Sequence, residues 1–111
     1  MASETFPELR HLERGDEAVL SRVAEEIFDE PIQGERVCLF LSEPTHHLVV
    51  AVHEGEVVGQ IMAFIHCYPD KPSQLYIDNL GVTPVLRRRG IARALLEAMF
   101  ALGKRLGCDE V

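Results

Sequence analysis

The chain reads as an α+β protein, and three observations predict that class. Ile91, Leu95, Met99, Leu102 and Leu106 step by four, four, three and four, the period of one helical face. Two β-rich runs, residues 48–52 and 57–65, are joined by His53-Glu54-Gly55-Glu56, where Glu54-Gly55 has the chemistry of a tight hairpin turn. The resulting order is strand, two helices, three antiparallel strands, helix, in place of the regular strand–helix alternation of a parallel sheet.

Each element follows from its residues. Residues 7–13, with Leu9 and Leu12 apolar, predict a short first strand. Gly15-Asp16 reads as a turn with Asp16 as N-cap. Behind it Val19, Leu20, Val23 and Ile27 fall at helical spacing and predict an amphipathic helix over residues 17–28. Pro31 and Gly34 break the chain, and Val37, Leu39, Phe40 and Leu41 mark a second helix, about 35–42, that stops before Pro44. The two central strands come next, then a loop over Pro69-Asp70-Lys71-Pro72-Ser73. A strand from Leu75 to Val82 ends at Pro84. The last helix spans residues 89–106 with Gly107 as its C-terminal cap, and Cys108-Asp109-Glu110-Val111 reads as the approach to a further strand.

A length of 111 residues accommodates one domain, 1–111. With 47% hydrophobic and 26% charged residues, the chain has the composition of a globule with a real but modest core. No run reaches the ~20 apolar residues of a membrane span, and the N-terminus has no leader pattern, so a cytoplasmic location without membrane attachment is expected. Cys38, Cys67 and Cys108 have no CxxC spacing, which points to reduced, packed thiols. His46-His47, His53 and His66 lack the spacing of a metal pair on a helix, so no metal is expected. The net charge of -7 is uneven. Residues 1–56 carry 13 acidic against 4 basic side chains, and residues 57–111 carry 5 against 7. An acidic front half argues against nucleic acid and suits a cationic or amine-bearing partner, although solubility alone explains it equally well.

The informative stretch is Leu80-Gly81-Val82-Thr83-Pro84-Val85-Leu86-Arg87-Arg88-Arg89-Gly90-Ile91-Ala92. A strand ends, a loop turns, and a long helix begins inside an arginine–glycine run. A helix N-terminus exposes unpaired N–H groups and the positive end of its dipole, so it favours phosphate. Gly90 lets an anion approach the backbone, while Arg87, Arg88, Arg89 and Arg93 add charge-assisted donors. This describes a pyrophosphate cradle, but a solvated basic helix start has the same residues, and the pattern alone leaves both open. Neither a Walker loop nor a three-glycine dinucleotide fingerprint is present.

Arg87-x-x-Gly90-x-Ala92, preceded by Leu80-Gly81-Val82-x-Pro84, resembles the acetyl-coenzyme A signature of the GCN5-related N-acetyltransferase (GNAT) superfamily, Arg/Gln-x-x-Gly-x-Gly/Ala. Val58-Gly59 in the hairpin and Leu106-Gly107-Cys108 at the helix exit are also similar to that family, over residues 7–111. Within it the chain most resembles the aminoglycoside 3-N-acetyltransferases and their relatives. The resemblance implies a mixed, mainly antiparallel central sheet flanked by helices. It implies acetyl-coenzyme A as cofactor, with the backbone of Leu80, Gly81 and Val82 pairing with pantetheine and Arg87, Arg88, Arg89, Gly90, Ile91, Ala92 and Arg93 holding the pyrophosphate.

The activity implied is direct acetyl transfer to an amine of a small cationic acceptor, with Asp29 and Glu30 in the region that binds it. In the aminoglycoside-type relatives an acidic residue sits three positions before the valine that matches Val82. Here that residue is Asn79, which cannot take a proton. Adjacent Asp78 would reach the site only through a bulge, and otherwise faces solvent. His66, near the strand mouth, is a weaker substrate contact, and Tyr68 and Tyr76 read as packing residues. The family's closing strands, with the tyrosine that protonates the leaving thiolate, have no counterpart up to Val111. The expected sheet therefore lacks its C-terminal strands and exposes the edge of residues 75–82, which a homodimer would cover. The rival expectation is a non-catalytic coenzyme A-binding or oligomerisation module of the same fold.

Overall fold

The computed structural model describes residues 6–108. Four antiparallel strands, β1 (Glu8–His11), β2 (His46–His53), β3 (Glu56–His66) and β4 (Gln74–Val82), form one sheet in the order β1-β2-β3-β4. Helix α1 (Gly34–Ser42) lies between β1 and β2 in sequence, and α2 (Ile91–Arg105) follows β4 after a 3₁₀ turn at Pro84–Leu86. This is the expected α+β architecture. Residues 109–111, read from sequence as the start of a further strand, lie outside the described residues.

The sheet is buried on both faces, which is why β2 and β3 read as nearly continuous apolar runs. On one face Val49, Ala51, Ile61, Ala63 and Leu75 pack against Ile91, Leu95, Met99 and Leu102 of α2. On the other, Leu48, Val50 and Val57 pack against Leu20, Ile27 and Val37. Leu106, counted from sequence in the α2 stripe, is 48% exposed because the helix has ended at Arg105. Gly107 follows with φ 86°, the left-handed conformation that closes many helices. Glu54 and Gly55 both have positive φ, 52° and 79°, the signature of a two-residue type I′ hairpin.

The helix expected over residues 17–28 is the main correction. Only Glu17–Ser21 coils, as a 3₁₀ turn, and Arg22 leaves it in an extended conformation. Val23 then forms a parallel bridge with Val57: Ala24 N–H donates to the Val57 carbonyl and Val57 N–H to the Arg22 carbonyl, both at 2.9 Å. A β-branched residue beside an open stretch of strand found ladder bonds there, and tertiary context overrode a weak local preference. The apolar spacing was real, since Leu20 and Ile27 are buried, but an irregular chain delivers them. Asp16 does not cap this turn with its side chain; its carboxylate accepts instead from the Glu13 N–H at 2.8 Å.

Candidate functional site

A cleft of about 490 Å³ lies between the irregular segment 26–29, the second half of β4 and the start of α2. Asp29, Asn79, Leu80, Gly81, Val82, Arg87, Arg88, Gly90, Ile91, Ala92 and Arg93 line it, joined by Glu26, Ile27, Phe28 and Leu86. Most of the residues singled out in the sequence thus meet at one place.

Three do not. Arg89 is exposed and outside the lining, and Glu30 borders a separate hollow with Pro31 and Ile32. Asp78 is also exposed and outside the cleft. The bulge expected to turn it inward is present, since Met62 pairs with Asn79 and Ala63 with Ile77, leaving Asp78 as the extra residue. Its effect is to bring Asn79 opposite Met62 and into the cleft lining. His66 pairs with Gln74, at the end of β4 away from Asn79–Val82, so it does not reach the cleft. There it stacks on Tyr68, which shares hydrogen bonds with Tyr76 and Gln74, and these rings pack on one another.

The floor of the cleft depends on Gly81. A Cβ at that position would collide with the Ile27 carbonyl oxygen, so only glycine lets segment 26–29 lie against β4. Gln60 reinforces the contact: it is fully buried on β3, and its Nε2 donates to the Ile27 carbonyl at 3.0 Å and to Asn79 Oδ1 at 2.6 Å. Sequence reasoning passed over Gln60, although a lone amide inside Val-Val-Gly-Gln-Ile-Met-Ala-Phe was the available signal. Thr83, 5% exposed, anchors the exit of β4 through its N–H to the Val58 carbonyl at 2.9 Å.

The wall is the N-terminus of α2. Its N-cap is Gly90 with φ 87°, and no side chain caps it. The first helical bond runs from Ala94 N–H to the Gly90 carbonyl, so the amides of Ile91, Ala92 and Arg93 precede any helical partner. No acidic side chain occupies the first turn. The need for glycine at 90 is conformational, and a Cβ there would meet nothing within 4 Å.

The arginines divide the work. Arg87 Nε donates to the Val82 carbonyl at 2.9 Å, and its Nη2 pairs with Glu26 at 3.4 Å, so it braces the loop across the cleft. Arg93 pairs with Glu97 one turn along at 3.3 Å. Arg88 lines the cleft, holds a left-handed φ of 68°, and pairs with no carboxylate among the described residues. A cradle of free amides beside an uncommitted guanidinium has the chemistry to hold an oxyanion. Among the described residues no cluster of three or more His, Cys, Asp or Glu is arranged for a metal, and no helix is long and apolar enough to cross a membrane.

The model of the acetyltransferase (GNAT) family matches residues 6–111. The chain belongs to that family. Solved structures similar to this GNAT acetyltransferase include an aminoglycoside acetyltransferase from an uncultured soil metagenomic sample. It is 25% identical, covering 96% of this chain and 76% of that one, with a TM-score of 0.77. A second soil-metagenome aminoglycoside acetyltransferase, solved with sisomicin, is 20% identical over 97% and 76% of the two chains, TM-score 0.76. AAC(6')-Iy, solved with the bisubstrate analogue CoA-S-monomethyl-acetylneamine, is 20% identical over 96% and 77%, TM-score 0.73. A sequence search of curated proteins found no match.

Proposed function

We propose that this GNAT protein transfers the acetyl group of acetyl-coenzyme A directly to an amine of a small cationic acceptor, of the aminoglycoside class, at its 3-amino group. The observation that carries the reading is the continuous cleft from the second half of β4 to the uncapped, arginine-flanked start of α2. The free amides of Ile91, Ala92 and Arg93, with Arg88, suit a pyrophosphate, and the backbone of Leu80, Gly81 and Val82 suits an extended pantetheine arm. The cofactor supplies an activated acetyl thioester. This chain's residues hold it and present Asp29 to the ammonium of the acceptor. Similarity to aminoglycoside acetyltransferases supports the acceptor class.

Calorimetric titration with acetyl-coenzyme A should give saturable 1:1 binding, and Arg88→Glu should weaken it tenfold or more, since a charge-assisted donor becomes a repelling carboxylate. Unchanged affinity in Arg88→Glu removes the cradle. Thiol release against an amine panel that includes aminoglycosides then reads transfer, and NMR of the product identifies the nitrogen. A second reading has its own support: Asn79 stands where a carboxylate base would act, and Asp78 points its charge elsewhere. On that reading the protein is a coenzyme A-binding module, and it gives the titration without thiol release.

A further inference from the structure

Gln60 has no exposed surface and lies in an otherwise apolar stretch of β3. Its Nε2 faces two oxygens, the Ile27 carbonyl at 3.0 Å and Asn79 Oδ1 at 2.6 Å, while its own Oε1 is buried without a partner among the described residues. A backbone carbonyl can only accept, so the Gln60 atom that faces Ile27 has to be the nitrogen. Both of its hydrogens are then committed, one to each oxygen. Asn79 must therefore show Gln60 its oxygen, because a flipped Asn79 would set two N–H groups against each other at 2.6 Å. The Nδ2 of Asn79 is left with two hydrogens and no protein partner among the described residues, and it is not fully buried, on a half-buried residue that lines the cleft.

We propose that Asn79 is a hydrogen-bond donor to a carbonyl oxygen of the acyl thioester bound in the cleft, and that Gln60 is the positioning residue that locks this polarity. The inference rests on the acetyl-coenzyme A reading above. It gives position 79 the opposite polarity to a base: a fixed donor offers hydrogen to an oxygen and has nothing with which to accept a proton from an amine. Such a donor, held by a buried partner, needs no reorganisation when its ligand arrives. Two kinds of carbonyl could meet it, the acyl carbonyl and the amide carbonyls of the pantetheine arm. Acetyl-coenzyme A carries both, and coenzyme A only the second.

The test is calorimetry with both ligands on the wild type, Asn79→Leu and Asn79→Asp. Asn79→Leu should lose about tenfold in affinity for acetyl-coenzyme A, the effect of one hydrogen bond. A loss confined to acetyl-coenzyme A assigns the acyl carbonyl, and an equal loss for both ligands assigns a pantetheine amide. Unchanged affinity for both overturns the proposal. Asn79→Asp should bind at least as weakly as Asn79→Leu, because an ionised carboxylate has no hydrogen to give. Tighter binding, or faster thiol release as expected of a restored base, overturns it.

Gln60→Glu replaces the donor with an acceptor, which obliges Asn79 to turn its nitrogen inward and its oxygen to the cleft. It should show the same pattern of loss as Asn79→Leu, and the double variant should be no weaker than Asn79→Leu alone. Should Gln60→Glu fail to fold, side-chain amide exchange in the wild type decides the polarity. The Gln60 amide protons should exchange slowly and those of Asn79 rapidly, with the Asn79 resonances moving on addition of acetyl-coenzyme A. Rapid exchange at Gln60 overturns the positioning role. Failure of the wild type to bind either ligand overturns the cofactor reading and the carbonyl partner with it, whereas amide exchange in the free protein judges the Gln60–Asn79 polarity on its own.

Discussion

At the scale of single residues, the cleft is shaped by what is missing as much as by what is present. Gly81 has no side chain, and the space a Cβ would take is filled by the Ile27 carbonyl. Backbone cannot swing aside as a flexible side chain can, so Gly81→Ala should destabilise the fold by roughly 2–3 kcal/mol, an overpacking cost. Urea unfolding would measure it, and a change within 0.5 kcal/mol would mean that segment 26–29 does not rest on β4. The sequence singled out Gly81 for another reason, as strand backbone next to the expected cofactor. Gln60 and the Asn79 polarity were not readable, because both depend on segment 26–29 returning to the sheet, where the Ile27 carbonyl meets Gln60, 33 positions away in the chain. The bulge at Asp78 was equally hidden: strand alternation alone cannot say where one extra residue enters a ladder.

At the scale of elements, local chemistry decided how much could be read. Glu54-Gly55 and the four-residue rhythm of α2 are self-contained signals, and both elements form where expected. Residues 17–28 show the limit, since apolar residues at helical spacing also suit a chain that touches one core at intervals. The seam between β1 and β2 carries a further consequence. His47 Nδ1 lies 3.3 Å from His11 Nε2, and its own Nε2 is buried without a partner among the described residues. Burial, then the neighbouring His11 and His46, lowers the His47 pKa from its ordinary 6.5. The unfolded chain therefore binds the proton more readily than the fold does. No stability is lost above about pH 6.5, and it drains away as the pH falls below that value. Thermal unfolding midpoints should drop between pH 7.5 and 5.5, and drop less in His47→Leu; an equal drop in both would put the sensitivity elsewhere.

For the molecule as a whole, a single sheet separates two cores, and both depend on β3, the strand that also carries Gln60. The scaffold and the site thus share one element. β4 is the last strand of the sheet order, and no described strand pairs with its outer side. We propose that a second copy of the chain pairs with the first half of this edge, before the Leu80–Val82 stretch assigned to pantetheine, since an open ladder invites pairing. Sedimentation velocity should show a dimer that dissociates on dilution, and a monomer at every micromolar concentration would exclude it.

Arg88 and Arg89, which pair with no carboxylate among the described residues, oppose the electrostatics of α2: their positive charge stands where the macrodipole is already positive, with no acidic side chain in the first turn to offset it. The empty protein thus keeps a local electrostatic frustration that a bound polyanion would relieve. Inorganic pyrophosphate, which shares nothing with the acyl or pantetheine chemistry, should therefore raise the melting temperature of the whole domain, and this thermal gain should vanish in Arg88→Glu. We propose that the loop is held in readiness at the expense of resting stability, and that a bound polyanion would act as the last stabilising component of the fold.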